Sequence, residues 1–157
     1  MRVRVEQVAE TACDALIPIL HDADEDDERI RATLIDGQHT TYAAYCEEQL
    51  VGAVTMRWGA DESEIEYIAV DRSSRGKGYG KEIIAQVVEL ARQREVHALL
   101  VGTDNTAFDN FAFYQKCGFR MDHVRHDYFA YIQPPITQHG IVVRDMLVLR
   151  YELAVEL

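Results

Sequence analysis

The sequence predicts an α/β fold in which a mixed β-sheet carries helices on both faces. Three observations predict it. Glu64-Ile65-Glu66-Tyr67-Ile68-Ala69-Val70 alternates and is rich in strand-favouring residues. After the turn Arg75-Gly76-Lys77-Gly78-Tyr79-Gly80, the apolar residues Ile83, Ile84, Val87, Val88 and Ala91 recur at helical spacing. Leu99-Leu100-Val101-Gly102 then reads as a buried strand, which completes a β-α-β unit.

The other elements follow in order. Residues 2–8 alternate like a strand. Residues 9–21 read as a helix in which Pro18 marks a break or kink, because proline has no amide hydrogen to donate. The acidic run Asp22-Ala23-Asp24-Glu25-Asp26-Asp27-Glu28 precedes Ile30 and Leu34 at helical spacing. Carboxylates placed there favour a helix start through the dipole. Strands follow at 40–48 and 50–58 around a turn near Glu48-Gln49, then at 63–70. The helix of 79–94 and the strand of 98–103 lead to a short helix at 109–117, with Gly118 as its C-cap and Phe119 packed behind. Two long strands, at 119–131 and 141–154, close the chain.

With 157 residues, 1–157 is expected to form one domain that buries a core without metals or disulfides. Cysteines 13, 46 and 117 are odd in number and contain no Cys-x-x-Cys, which points to reduced thiols in a cytoplasm. No stretch has the apolar length of a membrane span, and Met1-Arg2-Val3-Arg4 lacks a signal-peptide core. A net charge of −11 argues against nucleic acid as partner and is compatible with a cationic small molecule.

A strand, a basic glycine-rich turn and a long helix make a pocket for phosphates. Glycines let the backbone approach a ligand, and the first helical turn offers unpaired amides at a positive dipole end. Arg75, Lys77 and Lys81 add positive charge. A Walker loop fails here, because Arg75 stands for its first glycine and Glu82 for its hydroxyl. The dinucleotide fingerprint meets Lys81 where its third glycine belongs.

The pattern Arg/Gln-x-x-Gly-x-Gly/Ala does fit, through Arg75, Gly78 and Gly80 after Ile68-Ala69-Val70-Asp71. It resembles the pyrophosphate-binding motif of the GNAT superfamily of N-acetyltransferases. Tyr114-Gln115-Lys116-Cys117-Gly118-Phe119 resembles that family's Tyr-x-x-x-Gly-Phe signature, in the right order. Residues 48–120 carry the resemblance, and the chain's ending is close to small bacterial members without a settled substrate. The resemblance implies a three-layer fold with a mixed, mostly antiparallel sheet of about seven strands, two of which splay to admit a pantetheine arm. It implies acetyl-CoA as co-substrate and an anchor at Arg75, Gly76, Lys77, Gly78, Tyr79 and Gly80. Backbone groups of Ile68, Ala69 and Val70 would pair with the arm, and one of their amides would polarise the thioester oxygen. Where the family often has a pantetheine-binding Asn stands Ala107; Asn105 is the expected substitute, with Asn110 nearby.

A lysine-like amine has a pKa of about 10.4, so only about one molecule in a few thousand is neutral at pH 7. A base must recover that deficit. Glu64 and Glu66 lie two apart on one strand and are expected on the face of Ile68. Either is a candidate base; Glu66 lies nearer the thioester. Tyr114 matches the family's thiolate-protonating tyrosine and is expected to act chiefly through a hydrogen bond that strengthens as sulfur leaves.

No metal is expected, because His123 and His126, three apart on a strand, face opposite ways. His126, Tyr128 and Tyr131 are instead candidates for lining an acceptor pocket. Cys117 has no partner base, and no Gly-x-Ser-x-Gly supports a hydrolase. The expected function is acetyl transfer to a primary amine of a small molecule. Acetylation of a protein α-amino group or lysine, and acyl-CoA binding without catalysis, are the alternatives. The last strand, rich in Val, Leu and Ile, is a candidate for pairing across a homodimer.

Overall fold

The computed structural model describes residues 2–153. A seven-stranded sheet forms the middle layer. Its strands are β1 (Val3–Val8), β2 (Thr40–Cys46), β3 (Gln49–Arg57), β4 (Glu62–Val70), β5 (Ala98–Asp104), β6 (Arg120–Arg125) and β9 (Met146–Glu152), in the order β1-β2-β3-β4-β5-β9-β6. Only β4 and β5 run parallel, so the sheet is mixed and mostly antiparallel. The short strands β7 (Thr137–Gln138) and β8 (Ile141–Val142) form a separate hairpin.

Helix α3 (Tyr79–Gln93) lays Ile83, Ile84, Val87, Val88 and Ala91 on one face of the sheet, over Val54, Ile65, Leu99 and Leu149. On the other face, α1 (Ile17–Leu20) and α2 (Asp27–Leu34) bury Leu20, Ile30 and Leu34 against Ala43, Ala53, Tyr67 and Ala69. Helix α4 (Phe108–Lys116) seats Tyr114 and Phe119 in the α3-side core. Gly118 ends it with φ +102, a backbone angle that favours glycine.

Three expectations are corrected. Residues 9–21 form a 3₁₀ turn over Glu10–Leu16 followed by α1, with Pro18 inside the first turn of that helix, where the missing amide has no helical partner to lose. Strand 119–131 stops at Arg125, because Asp127 takes φ +57 and its amide is captured by Asp145 Oδ1 at 2.8 Å. Strand 141–154 divides into β8 and β9, and residue 154 lies outside the described residues. β9 sits between β5 and β6 with both edges paired, so it cannot extend the sheet into a second copy; the free edges belong to β1 and β6.

Candidate active site

The parallel ladder of β4 and β5 runs from Glu62↔Ala98 to Ile65↔Val101 and then stops. Residues 66–70 and 102–104 therefore face each other without ladder bonds. The sheet is open at this point. A cavity of about 1360 Å³ fills the gap, walled by Glu66–Val70, Gly102–Asp104, Asn110 and Tyr114 and, outside the sheet, by residues 22–29 and 128–133.

At one end of the gap, Gly76 and Gly78 take φ of +77 and +84, so the chain curls into the start of α3. The first amide there with a backbone acceptor is that of Glu82, bonded to the Gly78 carbonyl at 3.3 Å. Among the described residues, the amides of Lys77 to Lys81 have no acceptor, as the geometry of a helix start requires. Arg75 donates through Nε to the Val70 carbonyl at 3.1 Å and through its terminal nitrogen to Asp22 at 2.5 Å. Arg72 reaches the same carboxylate at 3.0 Å. The Arg72 bond, helped by Arg75, outweighs partial burial and holds Asp22 below the usual carboxylate range. Arg2, just before β1, braces the loop, donating to Lys77 O at 2.6 Å and to Glu82 at 2.7 Å.

Tyr114 is 6% exposed, wedged against Phe113 and Phe119 with ring centroids 5.2 and 5.7 Å away. Burial, and the neighbouring Cys117, push its phenol far above the ordinary value, so it stays protonated. Burial likewise raises the Cys117 thiol, against the pull of Lys81, which leaves a poor nucleophile.

The two glutamates part company. Thr55 pairs with Tyr67 and Met56 with Ile65, so Glu66 is the extra residue of a β-bulge. A bulge re-aims side chains and breaks the alternation. Ile65 and Ile68 consequently share the α3-side core, while Tyr67 and Ala69 pack on the other face. The expectation that Glu64 and Glu66 share the face of Ile68 fails for that reason. Glu66 lines the cavity, whereas Glu64 is ion-paired with Arg125 at 2.8 Å and lies outside its wall. Burial first, then the charge of Glu64, raise the Glu66 carboxyl, with His39 and Arg57 opposing.

His39 gave no signal in the sequence. It lies just before β2 with Nε2 3.6 Å from Glu66 Oε2 and Nδ1 2.8 Å from Asp36 Oδ2. Only the fold brings it to the bulge.

Asn105, the expected substitute at the pantetheine, is engaged elsewhere. Its Nδ2 donates to Val142 O at 3.0 Å, and its Oδ1 accepts from the amides of Arg144 and Asp145 at 2.8 and 3.0 Å. Asn110 lines the cavity instead, donating to Thr103 Oγ1 at 3.1 Å. Tyr128 and Tyr131 also line it, but His126 is 79% exposed and turned toward Asp145. The acidic run forms the outer wall. Asp26 caps α2 by accepting from the amides of Glu28 and Arg29, both at 3.1 Å, and Tyr67 donates toward Asp24 at 3.5 Å. Arg29 bridges this wall to the 128–133 segment, its guanidinium 3.9 Å from the Tyr131 ring centroid.

A model of the acetyltransferase (GNAT) family matches residues 5–119. The chain belongs to that family. Among its GNAT relatives, an uncharacterized N-acetyltransferase of Bacillus subtilis (strain 168), YvbK, is 32% identical over 97% of both chains. The solved IAA acetyltransferase of Bacillus cereus ATCC 14579 is 33% identical with a TM-score of 0.83, covering 96% of this chain and 99% of its own. A GNAT family acetyltransferase from Elizabethkingia anophelis, solved with acetyl-CoA bound, is 27% identical with a TM-score of 0.86, covering 97% of this chain and 99% of its own. The broken β4–β5 ladder is thus the strand separation that the GNAT motifs led us to expect.

Proposed function

We propose that this chain moves the acetyl group of acetyl-CoA directly to a primary amine of a small, cationic molecule. The observation that carries this reading is convergence. The opened β4–β5 gap, Arg75, the bulged Glu66 and the phenol of Tyr114 meet around one cavity. Acetyl-CoA supplies an activated thioester. The chain holds the pyrophosphate through the free amides of Lys77 to Lys81 and the guanidinium of Arg75, and the loop needs Gly76, Gly78 and Gly80 to stay compact. Ile68, Ala69 and Val70, paired with β3 on one side, offer the β5-facing side of their backbone to the pantetheine arm, with Asn110 taking the part expected of Asn105.

Glu66 draws the proton from the attacking amine. Its raised affinity for protons suits a base working near neutral pH better than an ordinary carboxylate. Tyr114 hydrogen-bonds the sulfur as negative charge builds there. Its phenol holds its proton more tightly than a thiol does, so a strengthening hydrogen bond, rather than complete transfer, is its contribution.

The Arg29–Tyr131 bridge favours a small acceptor over a protein chain, since it ties residues 22–29 to the 128–133 segment across the outer side of the cavity. Asp24, Asp26 and Glu66 favour a cation. The free thiols of Cys13, Cys46 and Cys117 fit a cytoplasmic enzyme, and 1–157 is read as one catalytic domain.

The test is CoA thiol release from acetyl-CoA with a panel of small amines and basic peptides, run in parallel on Tyr114→Phe. We expect selective release with one class of small amine. The variant should lose about 10- to 100-fold in kcat with little change in acetyl-CoA affinity. Release with peptides alone would overturn the acceptor assignment, and an unimpaired variant would remove the role of Tyr114.

A further inference from the structure

We propose that His39 and Glu66 act as one proton-accepting pair, oriented by Asp36, which receives the proton of the acceptor amine. This rests on the reading of Glu66 as the base. Asp36 lies two residues beyond α2 and accepts from the amides of Gln38 and His39 at 2.7 and 3.1 Å. Its other oxygen meets His39 Nδ1 at 2.8 Å. Burial opposes ionisation of Asp36, but these amides and the His39 ring outweigh it and hold the carboxyl below its ordinary range.

An ionised carboxylate only accepts, so the hydrogen of the neutral ring sits on Nδ1 and Nε2 is left as a bare acceptor. Nε2 is buried without a hydrogen-bond partner among the described residues, and it faces Glu66 Oε2 at 3.6 Å. Two acceptors confronting each other at a half-buried place repel until a proton enters between them. The pair therefore has one strongly favoured proton position, and its titration belongs to both groups.

The proton balance closes without another reactant. As the amine nitrogen bonds the acetyl carbon, its N–H bond breaks and the proton goes to Glu66 Oε2. The new O–H bond then breaks as Nε2–H forms. The imidazolium rests between Asp36 and Glu66, and its Nδ1–H stays on Asp36. Other groups facing the pair are Glu64, which raises the Glu66 carboxyl, and Arg57 of β3, which lowers it. Arg125 of β6 is ion-paired with Glu64, and the phenols of Tyr67 and Tyr128 are both raised and so uncharged.

Two measurements test the pair. The pH profile of kcat/KM is compared for wild type, His39→Gln and Asp36→Asn. His39→Gln should move the acid limb by about one pH unit or more, because the limb then reports Glu66 alone rather than the pair. Its plateau should fall by about 10- to 100-fold. Asp36→Asn should shift the limb in the same direction, by less. Separately, the His39 ring nitrogens are observed by NMR in the wild type and in Glu66→Gln, which needs no turnover; the Nε2 resonance should move in the variant, where an amide replaces the facing carboxylate, while Nδ1 stays on Asp36. An acid limb unmoved in His39→Gln, or a His39 Nε2 resonance unmoved by Glu66→Gln, overturns the pair even where acetyl transfer stands. A shifted His39 Nε2 resonance with undiminished turnover in Glu66→Gln instead overturns Glu66 as base, and the proton route with it.

Discussion

Glu66 is held in a form that folding disfavours. Burial and the charge of Glu64 raise its carboxyl above the ordinary 4.5. A group whose pKa rises on folding helps stability below its unfolded value and loses that help as pH climbs through the folded value. The ionised Glu66 therefore weakens the fold near neutrality, where its proposed role as base requires that form. Glu66→Gln should melt higher than wild type at pH 7–8 by about 2–4 °C, the shift that about 1 kcal/mol gives a chain of this size. Thermal melts across pH check this, and the gap should close below 4.5. A variant no more stable at pH 8 would show that burial imposes no net cost. The type and place of this residue were legible in the sequence, and so was Tyr114. Its direction was not, because a bulge inserts one residue into a ladder and leaves no mark in the alternation of Glu64 to Val70.

Helix α2 is where stability and the proposed selection of a cationic acceptor overlap. Asp26 both caps the helix and stands in the cavity wall. Asp26→Ala should cost about 0.5–2 kcal/mol, the usual loss on removing an N-cap. Its melting temperature should fall correspondingly, and KM for a cationic acceptor should rise at unchanged acetyl-CoA affinity. Denaturation and steady-state kinetics read the two effects separately. An unchanged KM would make the acidic run a helix start alone. The start of α2 was readable from its carboxylates and from Ile30 and Leu34. The strand expected over 119–131 was misread, since the residues that stop it, Asp127 and Asp145, meet across 18 positions of sequence.

Across the molecule, a net charge of −11 creates a negative field, and the carboxylates of residues 22–28 bring part of it to the mouth of the cavity. Capture of a cationic acceptor should weaken with ionic strength. Raising salt from about 0.05 to about 0.5 M, which shortens the screening length several-fold, should raise KM a few-fold while leaving kcat nearly constant. A salt-independent KM would assign the charge to solubility alone. Acetyl-CoA is an anion whose proposed anchor is Arg75 and the loop amides, so its affinity should not follow the same trend through this wall.

Local chemistry is what the chain wrote plainly into its sequence. Glycines at 76, 78 and 80, the helix that follows them, Tyr114 four residues before Gly118, and the strands on either side are short-range patterns, and backbone sterics and periodicity make such patterns readable. Three things waited for the folded chain: the aim of Glu66, the engagement of Asn105 by residues 142–145, and the meeting of Asp36, His39 and Glu66. Each depends on contacts between segments far apart in sequence, where register and loop path, rather than residue type, determine which side chains touch.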